Sequence, residues 1–305
     1  MSDLTGLKKY GMMDFTLTKP VLATLTQSAS SLKAIGYNLS VTPGRRPKLG
    51  QHFLSSEGFR RRIADALPLR ADELVIEIGP GHGAMTGLLA ESVNRRIVAV
   101  ELDSALASEL RGTHQSSQRV EILEGDILST DIAAICRERR APSCFVFGNL
   151  PYYITSPIIH HLMNSAGVIH GMGLLMQREV AERLTAKPGS RDYGYLSVLV
   201  QLHSEARIAI SVPPGAFSPP PKVHSSLVEF RMKPRFSAWT DQEREEFLKF
   251  VQRCFAQKRK NLLNNLGLTH GKDRVRDALE KLRLPATARA EELSVEQFAL
   301  LVERL

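Results

Sequence analysis

Four consecutive residues, Asn149-Leu150-Pro151-Tyr152, stand directly after the apolar run Phe145-Val146-Phe147. The Asn side-chain oxygen and the Leu150 main-chain carbonyl are two hydrogen-bond acceptors. Proline has no N–H and stiffens the turn that aims them, and tyrosine offers a flat face to a ring. Such a set suits an amine with two hydrogens and a lone pair delocalised into an aromatic ring, as in the exocyclic amine of adenine. That nitrogen is a poor nucleophile until it becomes pyramidal, so two acceptors that hold its hydrogens stabilise the form that exists near the transition state. Once alkylated, the cationic amine is acidic enough to lose its proton to water, and no histidine base is required. Any one of these residues also occurs in an ordinary proline turn with a buried aromatic. The chemistry is read from the four together.

A second cluster lies upstream. Gly79-Pro80-Gly81-His82-Gly83 follows the apolar run Leu74-Val75-Ile76-Glu77-Ile78, and glycines there let the backbone turn tightly and approach a ligand. Gly79, Gly81 and Ala84 satisfy G-x-G-x-x-G/A, and Glu101 follows Gly79 by 22 positions, where a carboxylate can take a pair of ribose hydroxyls. Asp126, in Gly125-Asp126-Ile127, either caps the turn after its strand or accepts a hydrogen bond from the amino group of a cofactor adenine. These residues alone do not separate an NAD-dependent oxidoreductase from a methyltransferase that uses S-adenosylmethionine. The Asn149 to Tyr152 set favours methyl transfer.

The elements that must position these groups are short. The spacing predicts helices over Phe59 to Leu67, Ala84 to Glu91 and Ser104 to Arg111, and strands at Leu74 to Ile78, Ile97 to Val100, Val120 to Leu123, Phe145 to Phe147 and Met172 to Met176. The intervening segments are long enough for crossover helices, so the fold class is α/β, a Rossmann-like doubly wound and mostly parallel sheet. Ala206 to Ser211 and Val223 to Arg231 read as a strand pair flanking the Pro-rich loop Pro213 to Pro221, and from Thr240 the pattern is helical to the end. The domain reading is a flexible extension over 1–44, a catalytic domain over 45–233 and a small basic all-α domain over 234–305.

With 43% hydrophobic and 24% charged residues over 305 positions, the chain is globular rather than disordered. No apolar run reaches the roughly 18 uncharged residues of a membrane span, and no secretory block opens the sequence. Residues 1–44 contain no Arg and carry Asp3 and Asp14, unlike an organellar transit peptide, so a cytoplasmic protein is expected. Cys136, Cys144 and Cys254 are too few and too scattered for a zinc knuckle or a disulfide framework and read as buried thiols. His160 and His161 are adjacent and cannot face one metal, so no metal is expected. Residues 231–283 hold 14 Lys and Arg against 7 Asp and Glu, a net +7 out of the chain's +8. A charge concentrated in that way points to a polyanion, with Lys258, Arg259 and Lys260 the candidates for phosphate contact.

The chain resembles the small-subunit ribosomal RNA adenine dimethyltransferases, relatives of the large-subunit resistance methylases and of the mitochondrial transcription factor B proteins. The resemblance runs from about Arg46 to the C-terminus. It is carried by Leu49-Gly-Gln-His-Phe-Leu54, Glu77-Ile-Gly-Pro-Gly-His-Gly83, Val100-Glu-Leu-Asp103, Gly125-Asp-Ile-Leu128, Asn149-Leu-Pro-Tyr-Tyr-Ile154, Phe217-Ser-Pro-Pro-Pro-Lys-Val223 and Phe255-Ala-Gln-Lys-Arg-Lys-Asn-Leu-Leu-Asn-Asn-Leu266.

The resemblance implies S-adenosylmethionine as cofactor, with His52 and Leu54 in a lid-like segment over it, Gly79 at its methionine portion, Glu101 at its ribose and Asp126 at its adenine. It places Asn149 between cofactor and target base. Many members carry Asn where this chain has His52, so a main-chain contact is the one that survives there. Phe217 stands where the family offers an aromatic near the base, and it is equally a packing residue. Arg289 to Leu301, a turn leading into a last helix, resembles the small-subunit enzymes more than the resistance methylases. The implied substrate is two adjacent adenines in a hairpin loop near the 3′ end of 16S rRNA in a small-subunit particle, each dimethylated by a monomeric enzyme. A large-subunit rRNA methylase and a noncatalytic RNA-binding assembly or transcription factor are the alternatives.

Overall fold

The computed structural model describes residues 52–91 and 95–305, so the expected extension over 1–44 and the Leu49 to Gln51 part of the first motif lie outside the described residues. The main sheet has seven strands: β2 (Leu74–Ile78), β3 (Arg96–Glu101), β4 (Val120–Glu124), β5 (Cys144–Asn149), β6 (Ile169–Gln177), β7 (Ser204–Val212) and β9 (Ser225–Met232). Their order is β4-β3-β2-β5-β6-β9-β7. The first five run parallel, and β9 pairs antiparallel with both β6 and β7.

The central strands are nearly continuous apolar runs because both of their faces are covered. Leu74, Ile76 and Ile78 of β2 share one buried cluster with Val98, Val100, Cys144 and Val146, while Val75 shares a second with Ile97, Phe145 and Phe147. This alternation is the period of two that a strand imposes. Helices α1 (Glu57–Ala66) and α2 (Thr86–Leu89) supply Ile63 and Leu89 to the second cluster. On the other face lie α4 (Ile132–Glu138), α5 (Thr155–Asn164), α6 (Arg178–Thr185) and α7 (Tyr195–His203), with α3 (Ser104–Thr113) linking β3 to β4. Side chains start several of these helices: Ser56 caps α1, Asp103 caps α3 and Asp131 caps α4.

The last four helices are α8 (Asp241–Cys254), α9 (Leu262–His270), α10 (Lys272–Lys281) and α11 (Val295–Val302). Phe247, Phe250, Val251 and Cys254 of α8 fall at helical spacing, and with Leu266, Leu279 and Phe298 they belong to the same buried cluster as the first sheet face. Capping boxes Thr240/Glu243 and Ser294/Gln297 begin α8 and α11.

The expected strands are all present, one or two residues longer at most ends. The expected helix over Ala84 to Glu91 is instead the single turn of α2, because the turn after Gly79 runs on to Met85. Lys258 to Lys260 lie not in a helix but in a turn between α8 and α9, where the Asn265 side-chain amide donates to the Cys254 and Gln257 carbonyls in place of helical N–H groups. A further strand pair went unforeseen. β1 (Phe53–Leu54) and β8 (Phe217–Ser218) form a separate antiparallel ladder, Phe53 opposite Ser218 and Leu54 opposite Phe217. All three cysteines are buried and unpaired. No described helix is long and apolar enough to cross a membrane.

Candidate active site

The strand order reverses between β2, which continues to β3, and β5, which lies on β2's other side. A crevice opens at such a switch point beyond the carboxyl ends of the strands. The pocket there is lined by residues that end β2, β3, β4 and β5, among them Gly79, Gly81, Glu101, Leu102, Asp126, Asn149, Pro151 and Tyr152, with His52 and Phe53 across from them.

Gly79 and Gly81 have φ of +61° and +60°, a region that glycine occupies without strain. A Cβ on Gly79 would meet no atom within 4 Å, whereas one on Gly81 would come 2.8 Å from the Phe53 ring. The first glycine therefore keeps the pocket open and the second lets Phe53 seat on the loop. Glu101 ends β3 and is only 3% exposed. Its Oε2 accepts from the Gly81 N–H at 3.0 Å and its Oε1 from the Asp103 N–H at 2.9 Å, so one carboxylate braces both the glycine loop and the start of α3. Asp126 is half-buried and does cap its turn, Oδ1 accepting from Leu128 N–H at 2.9 Å. Its Oδ2 makes no hydrogen bond among the described residues.

Beneath the loop, Glu77 is buried and its Oε2 is unpaired. Burial pushes its carboxyl up to about 7, against the Thr86 hydroxyl and with a further push from Glu101.

Asn149 ends β5. Its Nδ2 donates to the His52 carbonyl at 2.9 Å, and since that partner can only accept, the amide orientation is fixed with Oδ1 on the other side. The Leu150 N–H donates to Leu175 at 2.9 Å, while the Leu150 carbonyl has no partner among the described residues. The Pro151 carbonyl accepts from the Thr155 hydroxyl at 3.0 Å and from the Ile154 N–H at 3.2 Å, which closes the turn into α5. The Tyr152 hydroxyl is 2.8 Å from the Ser225 hydroxyl, and its ring lies 5.5 Å from that of His52, tilted by 31°. Burial raises the Tyr152 phenol above its ordinary value, opposed by the bond to Ser225.

The structure thus brings together His52, Gly79, Gly81, Glu101, Asp126, Asn149, Leu150, Pro151 and Tyr152. Leu54 and Phe217 are not among the lining residues. They are 4% and 3% exposed and pack together in the second core cluster as partners in the β1–β8 ladder, the packing alternative for Phe217. Lys258, Arg259 and Lys260 are exposed and lie apart from the pocket. His160 and His161 turn to different partners, the Tyr195 hydroxyl and the Thr130 carbonyl.

Leu102, Ile127 and Tyr153 also line the pocket without a role in the sequence reading. Each directly follows a residue that was singled out, so adjacency was the available signal. Leu102 and Tyr153 are moreover large side chains left 54% and 50% exposed. Nothing in the sequence pointed to Ser225, which reaches Tyr152 only through the antiparallel pairing of β9.

A doubly wound sheet with a pocket of this composition is that of a class I methyltransferase. The family model for ribosomal RNA adenine dimethylase matches residues 44–305, and the chain belongs to that family. It is 42% identical over 266 residues to the ribosomal RNA small subunit methyltransferase A of Acidobacterium capsulatum, covering 86% of this chain and 92% of that one. To the protein of the same description from Koribacter versatilis it is 39% identical over 273 residues, covering 86% and 95%. Among solved structures it is similar to a dimethyladenosine transferase from Plasmodium falciparum, with TM-score 0.70, 26% identity and coverage of 83% and 96%. It is also similar to the 23S rRNA methyltransferase ErmE, with TM-score 0.63, 28% identity and coverage of 83% and 99%.

Proposed function

We propose that this chain transfers methyl groups from S-adenosylmethionine to N6 of two adjacent adenines in a hairpin loop near the 3′ end of 16S rRNA, dimethylating each, on a small-subunit particle. Acting as a cytoplasmic monomer is part of the same reading. The supporting observation is the Asn149 amide, whose Nδ2 donates to the His52 carbonyl and leaves Oδ1 out of that bond, in a pocket also lined by Leu150, whose carbonyl has no partner among the described residues.

The pocket fits the cofactor on its own features. Gly79 leaves a space that any side chain would fill, and the Asp126 Oδ2 is an acceptor without a partner among the described residues. Glu101 would hold the ribose hydroxyls, Asp126 the adenine amino group, and the Gly79 to Gly81 backbone the methionine portion. When bound, S-adenosylmethionine supplies an electrophilic methyl group. The chain's own residues act on the other reactant: Asn149 Oδ1 and the Leu150 carbonyl accept the two N6 hydrogens and favour the pyramidal nitrogen, and Tyr152 stacks on the adenine. Tyr152 is well suited to that, because the Ser225 bond fixes its ring. The adenine must leave its stack to reach the pocket, which costs least for a loop nucleotide. Lys258, Arg259 and Lys260 would meet RNA phosphates, and the helical region over 234–305 would serve as the docking part of the molecule.

The direct test is incubation of the purified chain with labelled S-adenosylmethionine and undermethylated small-subunit particles. Appearance of N6,N6-dimethyladenosine supports the reading, and transfer to other atoms or to none opposes it.

A further inference from the structure

We propose that His52 is a positioning residue that pins the start of β1 to the Pro-rich loop and thereby sets the Asn149 amide and the Tyr152 ring. The proposal rests on the adenine methyl-transfer reading of the pocket. His52 makes three contacts there. Its Nδ1–H donates to the Pro219 carbonyl at 2.7 Å, its own carbonyl accepts from Asn149 Nδ2 at 2.9 Å, and its ring lies 5.5 Å from that of Tyr152. Because a carbonyl can only accept, Nδ1 must carry the proton in the first contact.

The register explains why these contacts converge. Phe53 stands opposite Ser218 and Leu54 opposite Phe217, and His52 and Pro219 are the residues just beyond that last pair. On the inner side, Ser55 N–H donates to the Ala216 carbonyl at 2.9 Å. The His52 carbonyl is taken by Asn149. Among the described residues no main-chain bond joins His52 and Pro219, and the imidazole N–H to the Pro219 carbonyl extends the tie past the last ladder pair. If the tie fails, the carbonyl that orients Asn149 is free to move, and a displacement of about 1 Å at a reacting group can cost on the order of 10²-fold in rate.

An Asn side chain places an N–H at the same distance from Cβ as His Nδ1, whereas Phe keeps a ring and loses the donor. His52→Asn should therefore retain turnover within about threefold, and His52→Phe and His52→Ala should lower kcat about tenfold or more, with the S-adenosylmethionine Kd unchanged within about threefold in all three. In an Asn149→Ala background, His52→Ala should cause a smaller loss than in the parent, the part that passes through Tyr152, because residues that act through one another are not additive. Equal losses in His52→Asn and His52→Phe, a Kd that rises in step with the fall in kcat, or additive losses in the double variant would each overturn the proposal. A readout independent of activity is the Asn149 side-chain amide in NMR. Its solvent exchange should quicken in His52→Phe and stay as in the parent protein in His52→Asn, and unchanged exchange in both overturns the positioning role. A parent protein that transfers no methyl to RNA would instead speak against the functional reading, and the amide exchange would still decide the role of His52.

Discussion

Replacing Glu101 by Gln changes little in shape and removes a charge that two main-chain N–H groups share. In the parent protein Oε2 accepts from Gly81 and Oε1 from Asp103, with the side chain nearly fully buried. A hydrogen bond to a charged group contributes about 1.5–3 kcal/mol, and a buried donor left unpaired costs about 1–3 kcal/mol. Gln keeps one oxygen for one of the two donors and turns its NH2 toward the other, so the variant should lose roughly 2–4 kcal/mol of stability. In a domain of this size that corresponds to a Tm lower by roughly 5–15 °C. Losing the ionic acceptor for the ribose hydroxyls should cost the cofactor about 1.5–3 kcal/mol as well, raising the S-adenosylmethionine Kd about 10- to 100-fold. Titration calorimetry and a thermal scan of the same samples measure both. An unchanged Kd with a lowered Tm would refute the ribose contact and leave Glu101 as a brace for the loop. An unchanged Tm would refute the brace.

Asn149→Ala should lower turnover about 10²–10³-fold while leaving cofactor affinity within a few fold, and near-normal turnover would remove the amine-orienting mechanism. Neutralising Lys258, Arg259 and Lys260 together should weaken binding to a small-subunit particle and reduce the slope of log affinity against log salt by about 2–3, with cofactor binding unchanged; identical slopes would show that these residues merely solvate a turn. Glu77 carries a pH signature: its carboxyl is raised from 4.5 to about 7 in the folded state, so the stability it contributes is fully present below about pH 4.5 and is lost as pH rises through about 7. The total is about 3 kcal/mol, and Glu77→Gln should flatten the pH dependence of urea unfolding between about pH 5 and 8, whereas parallel curves for variant and parent would contradict it.

Much of the fold was legible because the central strands are buried on both faces. Leu74 to Ile78 stands out as an apolar run bounded by turn residues and matches β2 end to end. Residues at the strand ends were found for the same reason, since a loop glycine or acid that follows such a run has one place to be. What periodicity could not show was pairing across distance. The β1–β8 ladder joins two-residue strands more than 160 positions apart, each too short to carry a pattern. Leu54, expected in the segment over the cofactor, and Phe217, expected either beside the base or as a packing residue, are both buried by that ladder. At Asp126 the structure shows the cap, one oxygen accepting from Leu128 N–H, and leaves the second oxygen without a hydrogen bond among the described residues. The basic turn at Lys258 to Lys260 read as helix because its flanks are helical, and the side-chain amide of Asn265 that holds the turn open gives no periodic signal.

The most direct measurement is a map of modified adenines in ribosomal RNA from cells with and without the gene for this chain. The account predicts two adjacent N6,N6-dimethyladenosines near the 3′ end of the small-subunit RNA that vanish without the gene and return with the parent sequence but not with Asn149→Ala. Persistence of both modifications without the gene, or loss of an adenine methylation only in the large-subunit RNA, would contradict it.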